Sequence, residues 1–100
     1  MIIESRDTVS LKPAELDEFG ELIRESGYII PDSVIDEHVE KYTIIVTARN
    51  AGLDGFLFGS LERIGGTPAT LWSFGAIRPG KKCKETAELL ISELYRRSAI

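Results

Sequence analysis

The spacing of apolar residues changes character along the chain, and each change marks an element. Leu16, Phe19, Gly20 and Ile23 recur at helical spacing, with Glu15, Asp17, Glu18 and Glu21 on the opposite side. This predicts a helix over Pro13–Ser26. Pro13 suits a first turn, where its missing N–H has no partner in any case, and Gly27 closes the helix. Pro31 and Asp32 announce a second helix of about ten residues, with Ile35, Val39 and Tyr42 on its apolar face. Ser33 and Asp36 have the spacing of a capping box. From Thr43 the residues become β-branched and aromatic. Thr43–Arg49, Phe56–Arg63 and Ala69–Ile77 read as strands, with turn chemistry at 50–55 and 65–68. Turns this short join only antiparallel neighbours, so the middle of the chain is a three-stranded meander. Ile2–Arg6 reads as a short first strand. Helical spacing returns in Glu85–Ala99, where Ala87, Leu90, Ile91, Leu94 and Tyr95 form the apolar face. Glu85 and Glu88 stand at its start and Arg96 and Arg97 at its end, as the helix dipole favours. The fold class is α+β, an antiparallel meander flanked by helices.

Composition narrows the function. One hundred residues fit one domain, and 43% apolar with 28% charged residues is a folded composition. The net charge of −4 argues against a nucleic-acid binder. Acidic residues gather in the first forty positions, whereas Arg78, Lys81, Lys82 and Lys84 crowd one turn. A basic patch on an acidic chain points to a small anionic ligand. One cysteine, Cys83, excludes an internal disulfide and suits a reducing, cytoplasmic setting. No apolar h-region follows Met1, and no apolar run approaches the roughly 20 residues of a membrane span.

The candidate chemistry lies in a strand, basic turn and helix at the end of the chain. The free N–H groups of a first helical turn, with the helix dipole behind them, make an anion site. The order of strand, two helices, three antiparallel strands and helix resembles the N-terminal two-thirds of the GNAT N-acetyltransferase superfamily. In that family the fourth strand often closes with Val-x-Pro, and a Gln/Arg-x-x-Gly-x-Gly/Ala signature opens the next helix. Ile77-Arg78-Pro79 resembles the first part, and Lys82, Glu85 and Ala87 fall on the signature positions. The resemblance implies acetyl-CoA or another acyl-CoA as cofactor. It implies a pyrophosphate on the amides between Lys82 and Ala87, including Cys83, Lys84 and Thr86, and a pantetheine arm beside Ala76 and Ile77. The activity implied is transfer of an acyl group to a small-molecule or protein amine by direct attack. Glu85 stands where the family has glycine, and the family fold continues with a fifth strand that these 100 residues do not include. The family's common Tyr acid has no counterpart.

The other candidates each have a structural reading beside the functional one. Trp72 and Phe74 belong to the core or line an acyl pocket, the core being preferred. Gly75 marks a bulge or a close backbone approach to a ligand. Acyl transfer to an amine needs a base, and no acid lies between Ala69 and Ile77. Glu62 is the nearest candidate and reads better as a strand-surface residue, so the catalytic residue stays unassigned. His38 among Asp36, Glu37 and Glu40 reads as a solvated helix face rather than a metal site. Cys83, between two lysines, has surroundings that lower a thiol pKa but lacks a base. The alternative function is a non-catalytic GNAT-like module. It would use the bare edge of the Ala69–Ile77 strand for association, such as a homodimer.

Overall fold

The computed structural model describes residues 1–27 and 31–98. Of these, the side chains of Asp32, His38 and Ser98 and of residues 61–64 and 68–73 are not described. The chain runs β1 (Ile2–Asp7), a 3-10 turn (Thr8–Ser10), α1 (Pro13–Glu25) and α2 (Asp32–Lys41). It continues through β2 (Ile44–Arg49), β3 (Leu53–Ile64), β4 (Thr67–Ile77) and α3 (Cys83–Ser98). All strand pairs are antiparallel, in the order β1-β2-β3-β4. The expected three-stranded meander is therefore extended by β1, which pairs with β2 from Ile2↔Arg49 to Asp7↔Ile44. Buried Thr8 fixes this join: its N–H donates to Thr43 O at 3.0 Å and its hydroxyl to Tyr42 O at 2.7 Å.

Alternation along the strands sends residues to two cores. On one face Phe56 and Phe58 of β3 meet Phe19, Leu22 and Ile23 of α1 and Ile35 of α2. Phe19 stacks on Phe56 at 4.5 Å and meets Phe58 edge-on at 5.8 Å. On the other face Ile44, Val46 and Ala48 of β2 receive Leu90 and Leu94 of α3. β3 presents Gly55 and Gly59 there. A methyl built on Gly59 would lie 2.7 Å from Leu94 Cδ1, so the missing side chains are what let α3 settle on the sheet.

Charged side chains tie the helices to the sheet. Glu15 begins α1 by accepting the Lys12 N–H at 3.3 Å and pairs with Arg6 of β1. Arg49 of β2 forks onto Glu18 at 2.9 and 3.0 Å. Arg97 of α3 reaches Asp7 at 3.1 Å.

Several boundaries differ from the sequence reading. α2 begins at Asp32, so Ser33 lies inside the first turn and is not a cap. α3 begins at Cys83 rather than Glu85, which places Lys84 on the helix. Its expected end at Ala99 lies outside the described residues. Its apolar face is only partly covered. Leu90 and Leu94 are buried with Thr86, while Ile91 is 48% and Tyr95 64% exposed. The β3–β4 turn is the two residues Gly65 and Gly66, at φ 59° and 83°, the left-handed pair a tight hairpin requires.

The strand irregularity also moves. Gly59 faces Ser73 and Leu61 faces Thr70, so β4 carries one extra residue across 71 and 72. Gly75 pairs regularly with Leu57. The backbone that approaches it closely is that of Phe56 in β3, which a Cβ at this position would overlap.

Candidate functional site

β4 is an edge strand, and its register shows which backbone groups face outward. The Arg78 N–H donates to Asp54 O at 2.7 Å, one step beyond the Gly55↔Ile77 pair. Bonded and non-bonded pairs alternate in an antiparallel ladder. Ala76 and Phe74 therefore bond to Phe56 and Phe58. Gly75 and Ile77 turn their N–H and C=O groups away from the sheet. The Ile77 carbonyl lies 3.3 Å from the Ser26 hydroxyl, whose one proton is shared with Leu22 O at 2.9 Å. The outward N–H groups of Gly75 and Ile77 have no partner among the described residues.

A cavity of about 440 Å³ opens along this edge. Ile23 and Ser26 of α1 form one wall, Phe74 and Ile77 of β4 the floor, and Ala87 and Ile91 of α3 the other wall. Among the described residues Ser26 supplies the one side-chain hydroxyl in an otherwise apolar lining. An apolar groove beside free strand amides can take an extended chain that carries its own amides.

The groove runs toward the start of α3. Gly80, at φ 152°, turns the chain after β4. Cys83 N–H donates to Gly80 O at 3.3 Å, and Thr86 N–H donates to Lys82 O at 2.9 Å. The N–H groups of Lys82, Lys84 and Glu85 have no partner among the described residues, and they lie at the positive end of the helix dipole. Lys81, Lys82 and Lys84 are exposed. None of them makes an ion pair among the described residues. Glu85 is exposed and makes no ion pair with these lysines among the described residues.

The residues singled out from the sequence thus fall at two adjoining places. Ile77 and Ala76 lie on the β4 edge, where Ile77 offers an outward N–H and the polar groups of Ala76 engage Phe56. Lys82, Cys83 and Lys84 form the turn and first helical residues. Ala87 lines the groove. Thr86 is 2% exposed, its methyl against Gly55 and its hydroxyl 3.9 Å from Met1 Sδ, so its side chain faces the sheet. Phe74 both packs on the aromatic core, 6.2 Å from Phe56, and lines the groove.

Arg78 leaves the basic patch. It pairs with Glu25, donates to Leu53 O at 2.9 Å, and lies 3.8 Å from Asp54. Glu62 sits four residues beyond Phe58, about 13 Å along the strand. The side chains of Glu62, Trp72 and His38 lie outside what is described. Ser26 was missed as a polar partner on the edge, and Gly75 was singled out for a close backbone approach but not for an outward N–H. Strand alternation was the available signal for Gly75, since it stands two residues before Ile77.

The comparisons with known proteins agree on the fold. The structure matches that of an aminoglycoside 6'-acetyltransferase type Ii with a TM-score of 0.72 and 20% identity. The match covers 99% of this chain and 64% of that one, so the chain spans under two-thirds of that protein's length. No family model and no curated relative matches the sequence. The likeness is one of fold: over the part it spans, the chain has the GNAT-type arrangement that the strand and helix order suggested.

Proposed function

We propose that the chain is an acyl-CoA-dependent N-acyltransferase that moves an acetyl or longer acyl group to an amine. The observation that carries this reading is the continuity of the site. Outward amides at Gly75 and Ile77 adjoin an apolar groove, and the groove leads to free helix N–H groups flanked by three unpaired lysines. The donor set fits the cofactor. Strand amides suit the amides of a pantetheine arm, and the lysine-flanked helix start suits a pyrophosphate. Bound acyl-CoA supplies the thioester carbonyl that an amine attacks. Gly75 and Ile77 would hold the arm by its amides, Phe74, Ile77 and Ile91 would keep water from it, and the effective concentration of the reactants would rise accordingly.

The acceptor is an amine of unassigned identity. The likeness to an aminoglycoside acetyltransferase makes an aminoglycoside the first acceptor to assay. Calorimetry and thermal shift with acetyl-CoA test the binding step. Absence of heat and of any shift at millimolar ligand would refute it. Amine-dependent release of free CoA thiol tests transfer, after subtraction of the signal from exposed Cys83.

One observation favours a second reading, binding without catalysis. No carboxylate or imidazole lines the groove among the described residues. Acetyl-CoA binding with no turnover on any amine at high pH, where the amine needs no base, would select that reading.

A further inference from the structure

Arg78 sits between the two halves of the proposed site. Its backbone N–H is the last ladder bond of β4, to Asp54 O at 2.7 Å. Its guanidinium meets three groups on two other segments: Glu25 at the end of α1, and, at the start of β3, the Leu53 carbonyl and the Asp54 carboxylate at the bulge. Ser26, the residue that caps α1, lies with its hydroxyl 3.3 Å from the Ile77 carbonyl. The end of α1 is thus clasped to the last residue of the strand and its exit. Beyond Arg78 the turn of 79–82 is exposed, and its backbone bonds among the described residues, Cys83 N–H to Gly80 O and Thr86 N–H to Lys82 O, both run to the start of α3. The free lysines are therefore held relative to the Gly75 and Ile77 amides from two sides. Arg78 is the anchor on the strand side, and α3 packed on Gly55 and Gly59 is the anchor on the helix side.

We propose that Arg78 is a positioning residue that aligns the strand-edge amides with the helix-start anion site, so that one ligand can engage both at once. The inference rests on the acyl-CoA reading above. Arg78 does not touch the phosphates: its charge is already engaged by two carboxylates. Two half-sites contribute jointly only when their spacing matches the ligand. Loosening the spacing weakens a ligand that spans both halves and spares a ligand that occupies one. Lysine cannot replace arginine here, because one ammonium cannot reach three acceptors in a fork. The pairs are also about half exposed, at 45% for Arg78 and 49% for Glu25. Exposed pairs add little to global stability, so the effect on binding separates from any effect on folding.

The test is calorimetry on Arg78→Gln, Arg78→Lys and Glu25→Gln, with CoA and with ADP as probes. ADP carries the pyrophosphate but no pantetheine arm. Arg78→Gln and Arg78→Lys should each weaken CoA about tenfold while leaving ADP within about twofold. Glu25→Gln, which keeps the arginine, should weaken CoA in the same sense. It supplies the measurement if an Arg78 variant fails to fold. Restoration of wild-type CoA affinity in Arg78→Lys, or parallel loss of ADP and CoA, would assign Arg78 to the phosphates and overturn the proposal. Unchanged CoA affinity in both Arg78 variants would overturn it too, with the acyl-CoA reading intact. Wild-type protein that binds neither probe overturns both.

Discussion

Gly75 offers a test in which the general expectation and the structure have opposite signs. Replacing an exposed strand glycine by alanine normally stabilises, by about 0.5–1 kcal/mol, because the unfolded chain loses freedom. Gly75 is exposed. Yet a Cβ built there overlaps the carbonyl oxygen of Phe56 and lies 3.1 Å from Leu57 Cα. Both obstacles are backbone, so neither can rotate aside. Relief requires β3 and β4 to separate by about 1 Å, which lengthens the Phe56–Ala76 and Phe58–Phe74 bonds on either side. Each bonded pair exchanges two N–H···O bonds. Four bonds at about 0.5–1.5 kcal/mol each put about 2–6 kcal/mol at stake. The entropic gain does not offset this, and Gly75→Ala should be about 2 kcal/mol less stable. For a domain of this size the melting midpoint then falls by about 10 °C. Gly52→Ala is the control, since nothing lies within 4 Å of its Cβ position, and it should change stability by under about 1 kcal/mol. Urea and thermal melts of both variants decide the matter. A Gly75→Ala midpoint equal to or above wild type would show that the β3–β4 register, and with it the assignment of outward amides, is wrong.

Three further outcomes follow from the same contacts. Leu90 is 2% exposed and central to the α3 core, so Leu90→Ala should cost about 2–4 kcal/mol in urea melts. Ile91 is 48% exposed and walls the groove; Ile91→Asp should leave the midpoint within a few degrees yet weaken acetyl-CoA at least about tenfold by calorimetry. Arg49 hydrogen bonds hold Glu18 below the usual carboxylate range against the opposing pull of burial, and Arg6, Lys12 and Arg49 do the same for Glu15. Their folded pKa values are depressed, so this contribution is full above the unfolded pKa and disappears as pH falls through the folded one; acid titration of stability should show a limb below the ordinary carboxylate range that is shallower in Glu18→Gln.

The parts legible in the sequence are those with strong local signals. Pro13 and the Leu16–Phe19–Ile23 spacing define α1 to within a residue, because burial on one face and capping agree there. The hairpin was legible from its glycines, though the expected turn of 65–68 shrinks to Gly65 and Gly66, with Thr67 and Pro68 already in β4. Long-range geometry was not legible. β1 carries too few residues to show a face, and its place beside β2 depends on Thr8 reaching Tyr42 and Thr43. Ile91 and Tyr95 have core spacing but not core burial, since β4 ends the sheet and nothing among the described residues lies over them. Arg78 sits among lysines in the sequence and reads as one of them. Its three acceptors come from residues at least 24 positions away, which no local pattern encodes.

The two functional readings compete for the same backbone groups, and this makes them separable. Each outward N–H of Gly75 and Ile77 can satisfy one acceptor, so a pantetheine arm and a second β4 edge cannot both occupy it. If association runs through this edge, linkage requires each process to oppose the other by the same factor. Saturating CoA should then move the elution of a self-associated form to that of the monomer, and CoA affinity should fall as protein concentration rises. Association through any other face leaves both quantities independent. Gel filtration with and without CoA, over about a hundredfold range of protein concentration, reads the difference. A dimer that persists unchanged at saturating CoA would exclude the β4 edge as its interface and leave that edge to the ligand.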